Sequence, residues 1–146
     1  MQSVFNARTI SMKEVKKNLV FIVDDDPDDR QIILDAFLEN NALSDYVFIE
    51  SADELMDILH SAENNDYPSL ILLDLNMPGM LGMQALKEIK GNKRFSDIPT
   101  VVLTTSKLST DRKLSYELGA NCFLTKPTLY SELVSITKSI ADVWLQ

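Results

Sequence analysis

Leu70-Ile71-Leu72-Leu73 runs straight into Asp74, and Leu75-Asn76-Met77-Pro78-Gly79 then ends regular structure. No other stretch restricts the fold as much. An apolar run this short, bounded by turn residues, reads as a strand buried on both faces, which needs helices above and below a sheet. Asp74 then stands at the strand's C-terminal end. In open parallel sheets that edge is where ligands bind. An Asp closing a strand is also an ordinary turn residue or helix cap, so the other strand ends decide.

Leu19-Val20-Phe21-Ile22-Val23 ends the same way, in Asp24-Asp25-Asp26. Pro27 suits the first position of a helix, with Asp26 before it as N-cap. Ile32, Ile33, Ala36 and Phe37 then recur at helical spacing up to Asn40-Asn41. Tyr46–Ile49 reads as a strand, residues 53 to about 63 as a helix with Leu55, Ile58 and Leu59 inward, and 64–68 as a loop. A helix is expected from about Met83 to Gly91, a fourth strand over 99–104, and a helix from about Ser109 to Leu118 closed by Gly119. Cys122–Thr125 is a short fifth strand. The final helix carries Leu129, Leu133, Ile136, Ile140 and Val143 as a stripe toward the sheet.

Five βα units at this spacing predict an α/β fold. Its simplest form is a flavodoxin-like, doubly wound (βα)5 unit whose five-stranded parallel sheet has the order 2-1-3-4-5. At 146 residues the chain is one domain's length. Residues 19–146 form that domain, and 1–18 read as an N-terminal arm without sustained periodicity.

The net charge of −8 argues against a nucleic-acid role. The basic group Lys87, Lys90, Lys93 and Arg94 reads as the solvated face of a helix. Cys122 is the only cysteine, which excludes an intramolecular disulfide, and it reads as a small buried hydrophobe. His60, the only histidine, reads as an exposed residue at a helix C-terminus. No apolar run approaches a membrane span and no signal peptide is evident, so the expected location is cytoplasmic.

The strand ends now assemble. Strand 1 offers Asp24, Asp25 and Asp26, strand 3 Asp74, strand 4 Thr104 and Thr105, strand 5 Lys126. In the order 2-1-3-4-5 all of them converge on one rim. Clustered carboxylates repel and need a cation, and hard oxygen ligands with room for water suit Mg²⁺. Asp74 beside a metal, a hydroxyl and an ammonium fits a carboxylate nucleophile receiving a phosphoryl group. Each feature alone has a bland account as a helix cap, a β-branched strand residue or a loop lysine. Four successive strand ends in the correct order make coincidence a poor one.

Val23-Asp24-Asp25-Asp26-Pro27, Leu72-Leu73-Asp74-Leu75-Asn76-Met77-Pro78-Gly79, Val102-Leu103-Thr104-Thr105-Ser106 and Leu124-Thr125-Lys126-Pro127 resemble the signature of the response-regulator receiver domain of two-component signalling. The resemblance covers about residues 18 to 146. Residues 115–127 and 139–145 look closest to the stand-alone regulators associated with bacterial phytochrome kinases. The resemblance implies that a sensor histidine kinase, phytochrome-like, donates its phosphoryl group to Asp74. It implies that Asp25, Asp74 and the backbone carbonyl of Asn76 hold Mg²⁺, with Asp24 helping through water. Thr104 and Phe123 would be the switch pair that reshapes the helix 4–strand 5–helix 5 face.

Leu81 stands where the family often has an Asp, and Thr105 where many members have Ala. These positions, with Asn76 and Ser106, bear on how long the phosphoryl group survives. The chain ends at Gln146, so the expectation is a single-domain switch acting on a downstream protein or phosphotransfer domain, or as a homodimer. One competing reading is a phosphate-independent pseudo-receiver. Another is an aspartyl-nucleophile phosphohydrolase, against which Asn76 stands where such an enzyme places its general acid.

Overall fold

The computed structural model describes residues 17–77 and 81–146. Residues 1–16, most of the expected arm, and the loop residues Pro78, Gly79 and Met80 lie outside the described residues. Five strands and five α-helices alternate: β1 Leu19–Val23, α1 Pro27–Glu39, β2 Asp45–Ile49, α2 Ala52–Ser61, β3 Leu70–Leu73, α3 Gly82–Gly91, β4 Thr100–Thr104, α4 Ser109–Glu117, β5 Cys122–Thr125 and α5 Tyr130–Trp144. The strands form one parallel sheet in the order β2-β1-β3-β4-β5, as the sequence predicts. The stretch expected as a plain loop after α2 holds a 3-10 turn, Asn64–Asp66.

Strand residues alternate between two cores because successive side chains point to opposite faces. Phe21, Val23, Ile71, Leu73, Val102 and Phe123 pack with α2 and α3 residues such as Leu55, Leu59, Leu86 and Ile89. Val20, Ile22, Leu70, Leu72, Val101 and Leu103 pack with Ile33, Ala36 and Phe37 of α1 and Leu133 and Ile140 of α5. Every residue of β3 is buried, which is why its sequence shows no alternation.

Two helix faces differ from expectation. On α5 the buried residues are Leu133, Thr137 and Ile140, whereas Leu129 and Val143 are exposed. A polar side chain replaces the expected apolar one because α5 packs beside α1. The Asn40 amide at the end of α1 donates to the Val134 carbonyl at 3.0 Å and to Thr137 Oγ1 at 3.2 Å. The basic group on and just after α3 is not a uniformly solvated face either. Lys90 Nζ donates to the carbonyls of Ser96 and Ile98 and to Asn121 Oδ1, at 3.0, 2.8 and 3.1 Å. Arg94 bonds the Tyr67 hydroxyl and the Ala62 carbonyl. Lys87 and Lys93 are exposed. His60 is exposed in the last turn of α2, its ring edge-on to Phe95 at 5.1 Å. Cys122 is half-buried on β5.

The register sets the site. Val23 of β1 lies opposite Leu73 of β3, so Asp24 and Asp74 emerge abreast, with the Asp74 N–H donating to the Val23 carbonyl at 3.0 Å. Thr104 of β4 lies opposite Thr125 of β5, and the next residue, Lys126, donates its N–H to the Thr104 carbonyl at 2.7 Å.

Candidate functional site

Asp24, Asp25 and Asp74 each present a carboxylate oxygen within 4.8 Å of the other two. Asp24 and Asp74 are buried and Asp25 is exposed, so the cluster opens to solvent on one side. Asp26 does not join it. Asp26 caps α1, accepting from the N–H groups of Asp28 at 2.8 Å and Asp29 at 3.4 Å, as befits a residue directly before a first-turn proline.

Lys126 reaches across the sheet edge to these acids. Its Nζ lies 2.5 Å from Asp24 Oδ2, 3.0 Å from Asp29 Oδ2 and 3.4 Å from Asp74 Oδ2. Burial pushes the Asp24 carboxyl above its ordinary value, against the lowering effect of its bonds to Lys126 and to the Asp26 N–H. For Lys126, burial alone would depress the ammonium. The hydrogen bonds to Asp24 and Asp29 and the charges of Asp74 and Asp24 outweigh it and hold the group above the usual lysine range. Three carboxylates thus contact one ammonium, and a fourth, Asp25, shares the cluster with two of them. That excess of negative oxygen ligands, open to water on the Asp25 side, fits a divalent cation.

Thr104 and Phe123, the expected switch pair, lie beside this cluster. Thr104 is fully buried, and its Oγ1 accepts from Asn76 Nδ2 and from the Ser106 N–H, both at 3.3 Å. The Asn76 N–H in turn donates to Asp74 Oδ1 at 3.2 Å. Ser106 Oγ donates to Asp111 Oδ2 at 2.6 Å, fastening the loop after β4 to the first turn of α4. Phe123 is buried. Its N–H donates to the Tyr116 hydroxyl at 3.0 Å, and the Arg112 guanidinium sits over both rings, 5.5 Å from Tyr116 and 5.9 Å from Phe123. Thr105 and Leu81 are exposed at the rim.

The structure therefore gathers the expected Asp24, Asp25, Asp74, Asn76, Thr104 and Lys126 at one edge, with Phe123 one strand away. Two further residues matter there. Asp29 binds Lys126 from α1, and in the sequence it reads only as one of two acids in a helix's first turn. Gly82, the first residue of α3, backs onto the chain beyond Asp74. A Cβ there would overlap the Asp74 carbonyl oxygen and come within 2.7 Å of Leu75 Cα. The Leu81-Gly82 pair after the acidic strand was the available signal for it. An open groove of about 810 Å³ between α2 and α3, lined by Met56, His60 and Lys87 among others, includes none of the site's groups.

Residues 20–138 match the response regulator receiver domain. The chain belongs to the response-regulator receiver family, and it is a signalling switch of two-component systems. Among its relatives is the response regulator Rcp1 of Synechocystis, 34% identical over 131 residues that cover 88% of this chain and 89% of that protein. The fold is similar to the Mn²⁺-bound form of Rcp1, with a TM-score of 0.79 and 32% identity over 88% of this chain and 95% of that one. It is also similar to the phosphorylated cyanobacterial phytochrome response regulator RcpA, with a TM-score of 0.81 and 35% identity over 89% of this chain and 94% of that one. A sensor histidine kinase is the partner that this family membership implies. Among the described residues no helix is long and apolar enough to cross a membrane.

Proposed function

We propose that Asp74 accepts a phosphoryl group from the phosphohistidine of a phytochrome-like sensor kinase, and that the change is read at the face formed by α4, β5 and α5. The observation that carries this is the single one of Asp24, Asp25 and Asp74 sharing one oxygen cluster with Lys126 bonded into it. A carboxylate oxygen of Asp74 attacks phosphorus, the P–N bond to the imidazole breaks, and the imidazole nitrogen keeps the bonding pair and takes up a proton. Asp25, Asp74 and the backbone carbonyl of Asn76 would hold Mg²⁺, with Asp24 acting through water. Bound Mg²⁺ supplies positive charge for the phosphoryl oxygens. Lys126 brings one N–H to the same oxygens, and the Thr104 hydroxyl turns from Asn76 toward them. The aspartyl phosphate is later hydrolysed at the same site, so the chemistry acts on the protein itself.

When Thr104 moves, the Ser106 N–H loses its acceptor, and Ser106 transmits this to α4 through Asp111. Leu108, Leu114 and Tyr116 are exposed on or beside α4, which suits this face to a downstream protein, a phosphotransfer domain or a second copy of the chain. The donor would seat on the other side of Lys126, where an apolar groove of about 310 Å³ runs past Ile32, Pro127, Leu129 and Tyr130. Residues 19–146 act as the receiver unit in the cytoplasm, with 1–18 as an arm before it, and the −8 charge keeps it off nucleic acid. A phosphate-independent interaction domain has no use for three clustered carboxylates beside a lysine. The test is Mg²⁺-dependent uptake of a phosphoryl group from acetyl phosphate by the wild type and not by Asp74→Asn.

A further inference from the structure

Lys126 has three N–H donors, and three carboxylates occupy them. Two belong to the phosphoryl site itself. The third, Asp29, sits on α1, outside the cluster that Asp24, Asp25 and Asp74 form. Its oxygen is nonetheless nearer to Nζ than that of Asp74, 3.0 against 3.4 Å. The side-chain exposures are graded as well. Lys126 is 12% exposed and Asp24 2%, Asp74 7%, whereas Asp29 is 39% exposed.

From this geometry we infer that Asp29 is a positioning residue for Lys126: it holds the ammonium back from Asp74 in the resting protein and releases it when phosphate arrives. The inference rests on the reading of Asp74 as the phosphoryl acceptor. Lys126 already gives Asp74 its longest contact, 3.4 Å, and to close on a phosphoryl group there the ammonium must draw away from Asp24 or from Asp29. Asp24 is buried, and losing Lys126 would leave its charge uncompensated. Asp29 is the half-exposed partner and returns to water at the lowest cost. Until it does so, its charge beside Lys126 also repels an incoming phosphodonor anion. Asp29 is thus a brake on phosphorylation, set by one carboxylate on the first turn of α1.

The adjacent Asp28 provides the control. It lies in the same first turn and is exposed, and Lys126 is bonded to Asp29 rather than to it. Asp28 therefore shares the favourable interaction with the helix N-terminus but not the lysine contact. The experiment is the rate of phosphoryl uptake from acetyl phosphate with Mg²⁺, followed by intact mass, alongside thermal melting. It uses the wild type, Asp29→Asn, Asp29→Glu and Asp28→Asn. Asp29→Asn is expected to be phosphorylated about three- to tenfold faster than wild type, with the difference shrinking in high salt. Asp29→Glu, which can still reach the ammonium, returns toward the wild-type rate, and Asp28→Asn matches wild type. A purely structural first-turn acid would instead give Asp29→Asn and Asp28→Asn the same small loss of melting temperature and the same rate, which overturns the inference. An Asp29→Asn rate at or below wild type overturns it too. If the wild type itself gains no phosphoryl group, the reading of Asp74 fails, and this one with it.

Discussion

The side-chain amide of Asn76 donates to Oγ1 of Thr104 at 3.3 Å, across the gap between the loop after β3 and the end of β4. The same residue's N–H holds Asp74 Oδ1 at 3.2 Å. The Asp74 carboxylate and the Thr104 hydroxyl, the proposed acceptor and switch groups, are therefore both tied to Asn76 before any phosphoryl group is present. For Thr104 to turn toward a phosphorylated Asp74 it must leave this amide.

Asn76→Ala removes that tie while keeping the backbone bond to Asp74. One hydrogen bond of this kind is worth about 1 kcal/mol, which moves a two-state population about fivefold. The Thr104 methyl signal in the NMR spectrum of unphosphorylated Asn76→Ala should shift part of the way toward its position in the phosphorylated wild type. A signal that stays at the unphosphorylated wild-type position would show that Asn76 does not hold the switch.

Asp24 makes the resting site pH-sensitive. Its folded-state pKa is raised above the unfolded value, first by burial, so the native state holds the proton more tightly than the unfolded chain. The stability that this group contributes is fully present below about pH 3.8 and is lost as pH rises through the folded value. Asp24→Asn cannot ionise and avoids that loss. In chelator at about pH 7 it should melt higher than wild type, with the gap closing toward pH 3.8. Added Mg²⁺ should stabilise the wild type more than the variant. A variant that melts lower than wild type under these conditions would contradict this account.

Gly82 is constrained by close approach rather than by its dihedral angles. A methyl group added at this position would overlap the Asp74 carbonyl oxygen and press on Leu75 Cα, and both are backbone atoms that cannot step aside as a flexible side chain could. Gly82→Ala should cost about 1–3 kcal/mol of stability in urea unfolding and displace the 74–76 backbone, slowing phosphorylation as well. An alanine variant with wild-type stability and rate would show that α3 can draw back freely.

The order of the sheet and the strand-edge residues were legible because strands buried on both faces are written as continuous apolar runs. Leu70–Leu73 and Leu19–Val23 name their own ends, and those ends carry Asp74 and Asp24. Asp29 was not legible. Asp28 and Asp29 are equivalent as first-turn acids, and which one meets Lys126 depends on how packing of Ile33, Ala36 and Phe37 rotates α1 against the sheet. The α5 stripe misled for a related reason. Thr137 holds a core position in which its hydroxyl is met by the amide of Asn40, far away in sequence, and bonds the Val134 carbonyl. Lys90 and Arg94 look like surface charge until the loop carbonyls that they bind are brought round them. In each case the missing information is a partner on another element.

Everything proposed for this site depends on Asp74 being a phosphoryl acceptor served by the acidic cluster. The most direct measurement is the intact mass of the protein incubated with acetyl phosphate, with Mg²⁺ or with chelator, for wild type and Asp74→Asn. The wild type should gain one phosphoryl group with Mg²⁺ and little or none in chelator, and Asp74→Asn should gain none. A gain that persists undiminished in Asp74→Asn, or no gain by the wild type from acetyl phosphate or from a phosphorylated histidine kinase, would contradict that role of Asp74.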